Sequence, residues 1–276
     1  MENRNSPLLL AILFIGIAIL YIPILVLIAY SFNASPLVNI WGGFSTAWYG
    51  TLLHNRQVLE AALLSVEVGF AASTGAVILG TLTSIALVRF THFRGRLLLI
   101  GMVTAPLVMP EIITGITQLL LFVSMLEFLS WPHRGFTTIV IAHVAFCTAY
   151  VTVTVQSRLQ GADRSLEEAA MDLGASPARA FIDVTLPIIA PALLSSWLLS
   201  FTLSLDDLVI SSFVSGPGAG TLPMVIYSKV KLGVSPDINA LASLIICAVG
   251  ACVIFAGIVM RRTERRRQLE VQAAAR

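Results

Sequence analysis

Four carboxylates lie inside long apolar stretches of this chain, where an unpaired negative charge is costly. They are Glu67, Glu111, Asp206 and Asp207. Ionisable side chains in membrane-spanning segments normally face a bundle interior or a water-filled route, and they often mark the path of a transported solute. An opposite charge strongly compensates the lost hydration of a cation at low dielectric. These residue types therefore predict a route for a cationic solute and argue against an anion.

Polar residues accompany two of these carboxylates at helical spacing. At about 100° per residue, one side of a helix carries Ser196, Ser200, Ser204, Asp207 and Ser211, with Asp206 on its flank. We expect this serine stripe to face the transport route or a partner subunit. The alternative is that the acids pair with basic groups of a partner, or that burial keeps them protonated. Glu67 fits a structural role better, and His143 with Cys147 fits packing better than a metal site.

Long apolar stretches must position these side chains, and they place the chain in a membrane. Apolar residues make up 57% of the sequence, charged residues 12%, and the mean hydropathy is +0.89, which excludes an ordinary soluble domain. Six stretches have roughly the 20 residues that a helix needs to cross a bilayer. They cover residues 8–30, 61–88, 97–121, 136–155, 188–214 and 238–260. We expect one all-α membrane domain over residues 1–276, with Pro106 and Pro110 interrupting its third span.

The basic residues predict the orientation of these spans. Of the 17 Lys and Arg residues, all but Arg56, Arg134, Lys229 and Lys231 fall on one side of the predicted topology. Lys and Arg concentrate in cytoplasmic loops, so both termini and the loop at residues 158–187 are expected in the cytoplasm. The net charge of +2 reflects this asymmetry and does not indicate a nucleic-acid surface. The Arg-rich tail is expected to anchor the topology beside anionic lipid headgroups.

The loop at residues 158–187 carries the local signals of two short helices joined by a glycine. Ser165 and Glu168 have the spacing of a capping box, and Leu166, Ala169, Ala170 and Leu173 would form one small apolar face. Gly174 stands where a left-handed residue ends a helix. Ser176-Pro177 then predicts a second helix to about Thr185, with Leu186-Pro187 turning the chain into the next span. We call residues 165–185 the elbow. From these signals alone it could lie on its own bundle or dock on a partner.

The sequence of the elbow resembles the motif of permease subunits of ABC-type importers. The matching positions are Glu168-Ala169-Ala170, Gly174, Val184 and Leu186-Pro187, with Val184 where Ile is commoner in the family. In that family the corresponding helix inserts into a cleft on a cytoplasmic ATPase subunit. The resemblance therefore implies the six-helix type I permease fold and assigns the ATPase-coupling role to Glu168, Ala169, Ala170, Asp172, Gly174, Leu186 and Pro187.

Further segments resemble the polyamine permeases of this family over nearly the whole chain. They include APLVMPE at residues 105–111, FTLSLDD at 201–207, SSFVSGP at 211–217 and GVSP with INALA at 233–242. Residues 143–150 look more like the putrescine than the spermidine version. The resemblance implies a bacterial inner-membrane importer with a second homologous permease, two cytoplasmic ATPase subunits and a periplasmic binding protein. It implies alternating access, with a substrate route through Asp207, Asp206, Glu111, Ser204 and Ser200.

Catalytic motifs are absent from the sequence itself. The only lysines are Lys229 and Lys231, so no Gly-Lys-Ser/Thr phosphate loop exists, and ATP with Mg²⁺ is expected on the partner ATPase. No cofactor or metal is expected in this chain. The alternatives are a permease for spermidine or another small solute, or an ion-coupled secondary transporter with Asp207 or Glu111 as a proton site. Internal repeats would favour the secondary transporter, and none is seen.

Overall fold

The computed structural model describes residues 7–37, 40–90, 92–232 and 236–251. Over these residues the regular elements are helices joined by turns and loops, with one isolated antiparallel bridge between Asn33 and Phe44. The helices are α1 Pro7–Tyr30, α2 Ala47–His54, α3 Arg56–Arg89, α4 Arg96–Val108, α5 Glu111–Leu129, α6 Phe136–Gln160, α7 Ser165–Asp172, α8 Pro177–Ala180, a π-helical segment Phe181–Thr185, α9 Leu186–Asp206, α10 Val209–Val214, α11 Leu222–Leu232 and α12 Pro236–Ala251. The predicted all-α class is confirmed.

Within the described residues, five helices are long and apolar enough to cross a membrane. They are Leu10–Tyr30, Arg56–Arg89, Glu111–Leu129, Phe136–Gln160 and Pro177–Asp206, with Arg96–Val108 and Pro236–Ala251 as shorter apolar helices. The predicted spans 8–30, 61–88 and 136–155 fall inside observed helices. Beyond residue 251, the predicted sixth span lies outside the described residues, as do Arg4 and the arginines from residue 261 onward. The count of six spans stays a prediction.

The third predicted span is divided into two helices at Pro110. Helix α4 ends at Val108, Met109 is extended with φ −76° and ψ 138°, and α5 begins at Glu111 and continues to Leu129. Proline lacks an amide and disfavours helical geometry in the residue before it, so the helix ends here. Pro106 does not break the chain, because it lies inside α4. Helix α5 continues beyond residue 121, where the span was predicted to end, and the membrane bounds of the span stay a prediction.

The fifth predicted span is also divided, although no proline marks the place. Helix α9 ends at Asp206, Asp207 is extended with φ −65° and ψ 121°, and α10 begins at Val209. The single helix predicted over residues 188–214 is therefore wrong at its end. The side chain of Asp207 explains the break, because it bonds the first amides of the next helix.

The described residues fall into two compact units. Gln57–Tyr227 forms one unit, and the described residues up to Arg56 and from Ser228 onward form the other. In the second of these, Tyr49 joins the loop after α1 to α12. Its hydroxyl lies 2.7 Å from the Ser31 hydroxyl and donates to the Ser243 hydroxyl at 3.2 Å.

Helix α6 runs through the centre of the unit Gln57–Tyr227. Its residues Ile139, Val151 and Val155 are fully buried. Small residues on one face of α3 let the two backbones approach, as in many membrane bundles. A Cβ added at Gly80 would lie 2.6 Å from Val151, and the Ser84 hydroxyl donates to the Thr152 carbonyl at 2.9 Å.

Candidate functional site

The two helix breaks meet at one cavity of about 230 Å³. Its lining comprises Glu111, Phe146, Leu203, Asp206, Asp207, Leu208 and Val209. Three of the four carboxylates singled out in the sequence are thus brought together, from segments almost 100 residues apart. Glu67 does not join them, since it lies on an exposed face of α3. We call this space the acidic cavity.

Helix ends of both kinds border the acidic cavity, because α5 begins at Glu111 and α10 at Val209, whereas α9 ends at Asp206. The two N-termini oppose the C-terminus, so the negative character of the cavity comes from its carboxylates. Glu111 and Asp206 are exposed to the cavity side, and the ring of Phe146 offers an apolar face beside them. A carboxylate pair with an aromatic wall can bind an organic cation.

Asp207 is more buried than Asp206. Its side chain is only 7% exposed. Its carboxylate accepts the amides of Ile210 at 3.1 Å and Ser211 at 2.7 Å, and it contacts His143 Nε2 at 3.1 Å. Asp207 therefore caps α10 and joins it to α6. Its role in a substrate route stays a prediction.

The sequence assigned His143 to packing, and its burial agrees, but the polar partners of its ring were not predicted. Its side chain is 1% exposed, and Nδ1 lies 2.6 Å from the Ser204 hydroxyl while Nε2 lies 3.2 Å from the Ser211 hydroxyl. We call His143, Ser204, Asp207 and Ser211 the histidine network. An ionisable residue in an apolar span was the available signal, and a serine stripe on another span was its natural partner.

The serine stripe faces the interior of its own bundle, which corrects the expectation that it faces the route or another subunit. Ser196, Ser200, Ser204 and Ser211 are all buried. The Cys147 thiol on α6 donates to the Ser200 carbonyl at 3.7 Å. Helix α9 therefore presents this face to α6, because hydroxyls and small side chains allow close packing there. A direct contact of Ser200 or Ser204 with substrate stays a prediction.

Close packing fixes α10 beside the acidic cavity. A Cβ added at Gly115 of α5 would lie 2.6 Å from the Phe213 ring. The Arg134 guanidinium donates to the Phe213 carbonyl at 2.8 Å, and the Thr138 hydroxyl donates to the Val214 carbonyl at 2.7 Å. The carbonyls at the end of this short helix therefore accept hydrogen bonds from Arg134, just before α6, and from Thr138 in α6.

The elbow begins with a different cap from the predicted one. Asp163 Oδ1 accepts the Ser165 amide at 2.9 Å, and these hydrogen bonds with Ser165 lower the pKa of Asp163 below its ordinary value. Ser165 lies inside α7, and Arg164 stands at the cap position without a side-chain bond. The predicted capping box of Ser165 and Glu168 is wrong, because a charged acceptor two residues earlier takes the free amide. Glu168 is instead an exposed neighbour of Arg164 at 3.6 Å.

The glycine turn of the elbow is confirmed. Gly174 has φ +93°, its amide bonds the Met171 carbonyl at 2.9 Å, and the Ala175 amide bonds the Ala170 carbonyl at 3.1 Å. These two bonds form a Schellman motif, which requires a left-handed residue at this position. The Ser176 hydroxyl then accepts the Arg179 amide at 3.4 Å with Pro177 following, so the predicted start of the second helix is also confirmed.

The second helix of the elbow continues directly into α9. Phe181–Thr185 is π-helical, and the Leu186 amide bonds the Phe181 carbonyl. Leu186-Pro187 therefore does not turn the chain, which corrects the sequence prediction. Pro187 has no amide to give to the preceding turn, and a wider π turn accommodates that loss.

The outer face of the elbow is apolar and acidic. Leu173 is 91% exposed, and Leu166, Met171 and Ile182 are also exposed. Ala169, Glu168 and Asp172 are exposed next to them, whereas Ala170 is half-buried. Helix α7 contains no buried residue. The elbow therefore does not bury this face on its own bundle, which favours docking on a partner.

The inner face of the elbow carries one ion pair to the bundle. Glu167 accepts hydrogen bonds from the Arg89 guanidinium at the end of α3 and from the Thr185 hydroxyl. Partial burial acts to raise the pKa of Glu167, but these hydrogen bonds and the charge of Arg89 outweigh it, so the pKa lies below its ordinary value. A cavity of about 270 Å³ beneath the elbow is lined in part by Arg89, Glu167 and Thr185.

Metal binding finds no support in the described part of the chain. There, no group of three or more His, Cys, Asp or Glu residues is close enough together to hold a metal ion.

The chain is similar to known proteins over most of its length. The family described as "Binding-protein-dependent transport system inner membrane component" matches residues 76–269. The chain is 54% identical to the putrescine transport system permease protein PotI of Escherichia coli K12, over 99% of this chain and 97% of that protein. It is 43% identical to the spermidine/putrescine transport system permease protein PotC of the same strain, over 88% and 90% of the two chains.

Solved structures share the fold at low sequence identity. A chain of a bacterial ABC transporter that imports the acidic polysaccharide alginate matches with a TM-score of 0.71 at 16% identity, covering 95% of this chain and 98% of that one. A second structure is of a bacterial alginate ABC transporter in complex with an alginate pentasaccharide-bound periplasmic protein. Its matching chain has a TM-score of 0.71 at 16% identity, covering 94% of this chain and 96% of that one.

Proposed function

The chain belongs to the family of inner membrane components of binding-protein-dependent transport systems and is a polyamine-type permease subunit of an ABC importer; we propose that putrescine is the solute that it conducts. The acidic cavity carries this proposal. Glu111 and Asp206 offer two negative charges beside Phe146, at the place where two spans are interrupted. Helix breaks inside membrane bundles expose backbone carbonyls to transported solutes. A diamine with a short apolar centre suits carboxylates beside an aromatic ring.

Energy comes from ATP hydrolysis on separate subunits. The chain contains two lysines, neither in a phosphate-binding loop, so it supplies no nucleotide site of its own. The elbow offers Leu173 and its small apolar neighbours for insertion into an ATPase cleft, with Glu168 and Asp172 beside them. Closure of two ATPase subunits around ATP and Mg²⁺ moves two elbows together and opens the spans outward. Hydrolysis resets them.

The complete transporter contains more than this chain. We propose a second, homologous permease, two cytoplasmic ATPase subunits and a periplasmic binding protein that delivers the substrate. Both termini and the elbow lie in the cytoplasm, with membrane lipid around the outer faces of the spans. This arrangement places the elbow on the side where ATP is available.

The test measures solute uptake and ATP hydrolysis by the assembled transporter in proteoliposomes. We expect ATP-dependent uptake of putrescine, with a lower KM than that for spermidine. A lower KM for spermidine would identify spermidine, not putrescine, as the preferred substrate. The similarity to a spermidine/putrescine permease favours this alternative. Uptake driven by a proton gradient without ATP would support an ion-coupled secondary transporter instead.

Variants of the elbow test the coupling mechanism. Glu168→Gln and Gly174→Val should leave membrane insertion intact and should lower the uptake per ATP hydrolysed. Gly174→Val is expected to act through the backbone, since φ +93° disfavours a β-branched residue. Normal coupled uptake by both variants would contradict the assignment of the elbow.

A further inference from the structure

Two adjacent glutamates of the elbow have opposite surroundings. The side chain of Glu168 is 61% exposed and lies near Arg164 of its own helix. The side chain of Glu167 is 16% exposed and contacts Arg89, which is 22% exposed. The family motif contains Glu168, so the outward position is the one that faces a partner. Glu167 faces the bundle and needs a separate explanation.

Glu167 joins three segments of the chain through one carboxylate. Its carboxylate is on α7, Arg89 is the last residue of α3, and Thr185 is the last residue of the π-helical segment. Thr185 is buried, and α9 follows it without interruption. A charge-assisted bond shielded from water holds its geometry better than the exposed pair of Arg164 and Glu168. One side chain therefore connects the elbow to the ends of two spans.

The surroundings of this contact allow movement. Helix α7 buries no residue, and the cavity of about 270 Å³ separates part of the elbow from α3, α6 and α9. Packing alone would transmit a displacement of α7 poorly across that space, because loosely packed surfaces do not act as rigid bodies. The π-helical segment is a wider turn within a continuous helix, and such turns often mark functional positions. An ion pair at this point can carry force that packing does not.

We propose that Glu167, Arg89 and Thr185 form a joint that transmits movement of the elbow to α3 and α9. Glu167 and Arg89 are then positioning residues for energy coupling, and neither contacts solute or nucleotide. This inference rests on the proposed function, since the ATPase subunits supply the movement. It predicts that the joint sets how much solute crosses for each ATP hydrolysed, not how fast ATP is hydrolysed.

The experiment uses the complete transporter in proteoliposomes with putrescine and its binding protein. Uptake and ATP hydrolysis are measured in the same vesicles for Glu167→Gln, Arg89→Gln and the exchanged pair Glu167→Arg with Arg89→Glu. We expect each single variant to lower the ratio of uptake to hydrolysis by at least about fivefold, within the usual range of coupling free energies. The exchanged pair should recover most of that loss, because it restores opposite charges at the joint. Glu127→Gln removes an exposed carboxylate elsewhere and should keep the parental ratio.

The outcomes separate this inference from the proposed function. If the parent transporter couples ATP to uptake and both single variants keep its ratio of uptake to hydrolysis, the proposed joint is overturned while the proposed function stands. An exchanged pair that assembles normally but stays as uncoupled as the single variants would also overturn the joint. Should the single variants fail to assemble, Thr185→Val decides, because it removes one hydroxyl at nearly constant shape. A reduced ratio for Thr185→Val supports the joint, and a parental ratio overturns it.

Discussion

Asp206 and Asp207 are neighbours in sequence, but their carboxylates have different tasks in the structure. Asp207 is bound by two amides and His143, whereas Asp206 is exposed at the acidic cavity. A carboxylate whose oxygens are already occupied gains less from an arriving cation than a free one does. We therefore expect Asp206, with Glu111, to supply most of the attraction for a cationic solute.

Substitution of the two aspartates should separate stability from affinity. Asp207→Ala leaves His143 and the first amides of α10 without their acceptor, and the cost is about 3 kcal/mol of stability. Asp206→Asn removes one exposed charge, so we expect an unchanged Tm and a KM for putrescine raised by roughly tenfold, equivalent to about 1.4 kcal/mol. Thermal unfolding of the purified transporter and uptake kinetics provide the two measurements. A normal Tm for Asp207→Ala would contradict the capping role.

Acid should release the elbow from the bundle through Glu167. The pKa of this group is lowered in the folded protein, so the ion pair contributes stability at pH values above the unfolded pKa of about 4.3. That contribution is lost as the pH falls through the lower, folded pKa. The charged groups around it are Arg89, Arg164 and Asp163. We expect the elbow to stay anchored from pH 5 to 8 and to become mobile only below about pH 4.

A spin label at Asp172→Cys in a cysteine-free background measures this release. The parent should show a step in label mobility in the acid range. Glu167→Gln should show a mobile label at every pH, because its amide carries no charge for Arg89. Asp163→Asn should keep the step, which separates Glu167 from the other acid whose pKa is lowered here. A step that persists in Glu167→Gln would assign the transition to another group.

At the scale of elements, the contact between α3 and α6 depends on Gly80. A Cβ at this position would lie 2.6 Å from Val151 and 3.1 Å from the Thr152 amide, so the helices must separate. We expect Gly80→Ala to destabilise the protein by about 1 to 3 kcal/mol through overpacking. Gly101→Ala on α4 is the matched control, because nothing lies within 4 Å of the added Cβ. Alanine favours a helix over glycine by about 1 kcal/mol, so the control should be neutral or slightly stabilised.

Thermal unfolding of the two glycine variants in the same detergent tests this contact. A lower Tm for Gly80→Ala alone is the expected result. Equal values of Tm for both variants would show that α3 and α6 can move apart without cost. The comparison isolates packing, since both substitutions add the same methyl group to a helix.

The elements that sequence reasoning found are those with local causes. Gly174 and Ser176-Pro177 act on their own backbone within a few residues, and both were predicted correctly. The break at Asp207 was missed because its cause is partly distant: the carboxylate caps α10 and also meets His143, which is 64 residues away. Periodicity showed that one side of α9 is polar, but it could not show that α6 covers that side. Burial depends on neighbours that a single helix pattern does not contain.

At the scale of the whole molecule, the basic residues predict the orientation. In the topology predicted from the sequence, the side that carries the elbow holds 13 of the 17 Lys and Arg residues, and the opposite side holds Arg56, Arg134, Lys229 and Lys231. Cationic loops resist transfer across the bacterial inner membrane, so the elbow should stay in the cytoplasm. The proposed mechanism requires a cytoplasmic elbow, since an elbow on the other side could not reach an ATPase.

Single cysteines on the two sides test the orientation directly. His133 lies in the exposed turn between α5 and α6, and Asp172 lies on the exposed elbow. In a cysteine-free background, His133→Cys should react with a membrane-impermeant maleimide added to intact spheroplasts, because the predicted topology places that turn outside. Asp172→Cys should react only after the membrane is permeabilised. Reaction of Asp172→Cys in intact spheroplasts would reverse the topology and would remove the elbow from any role in coupling to cytoplasmic ATP.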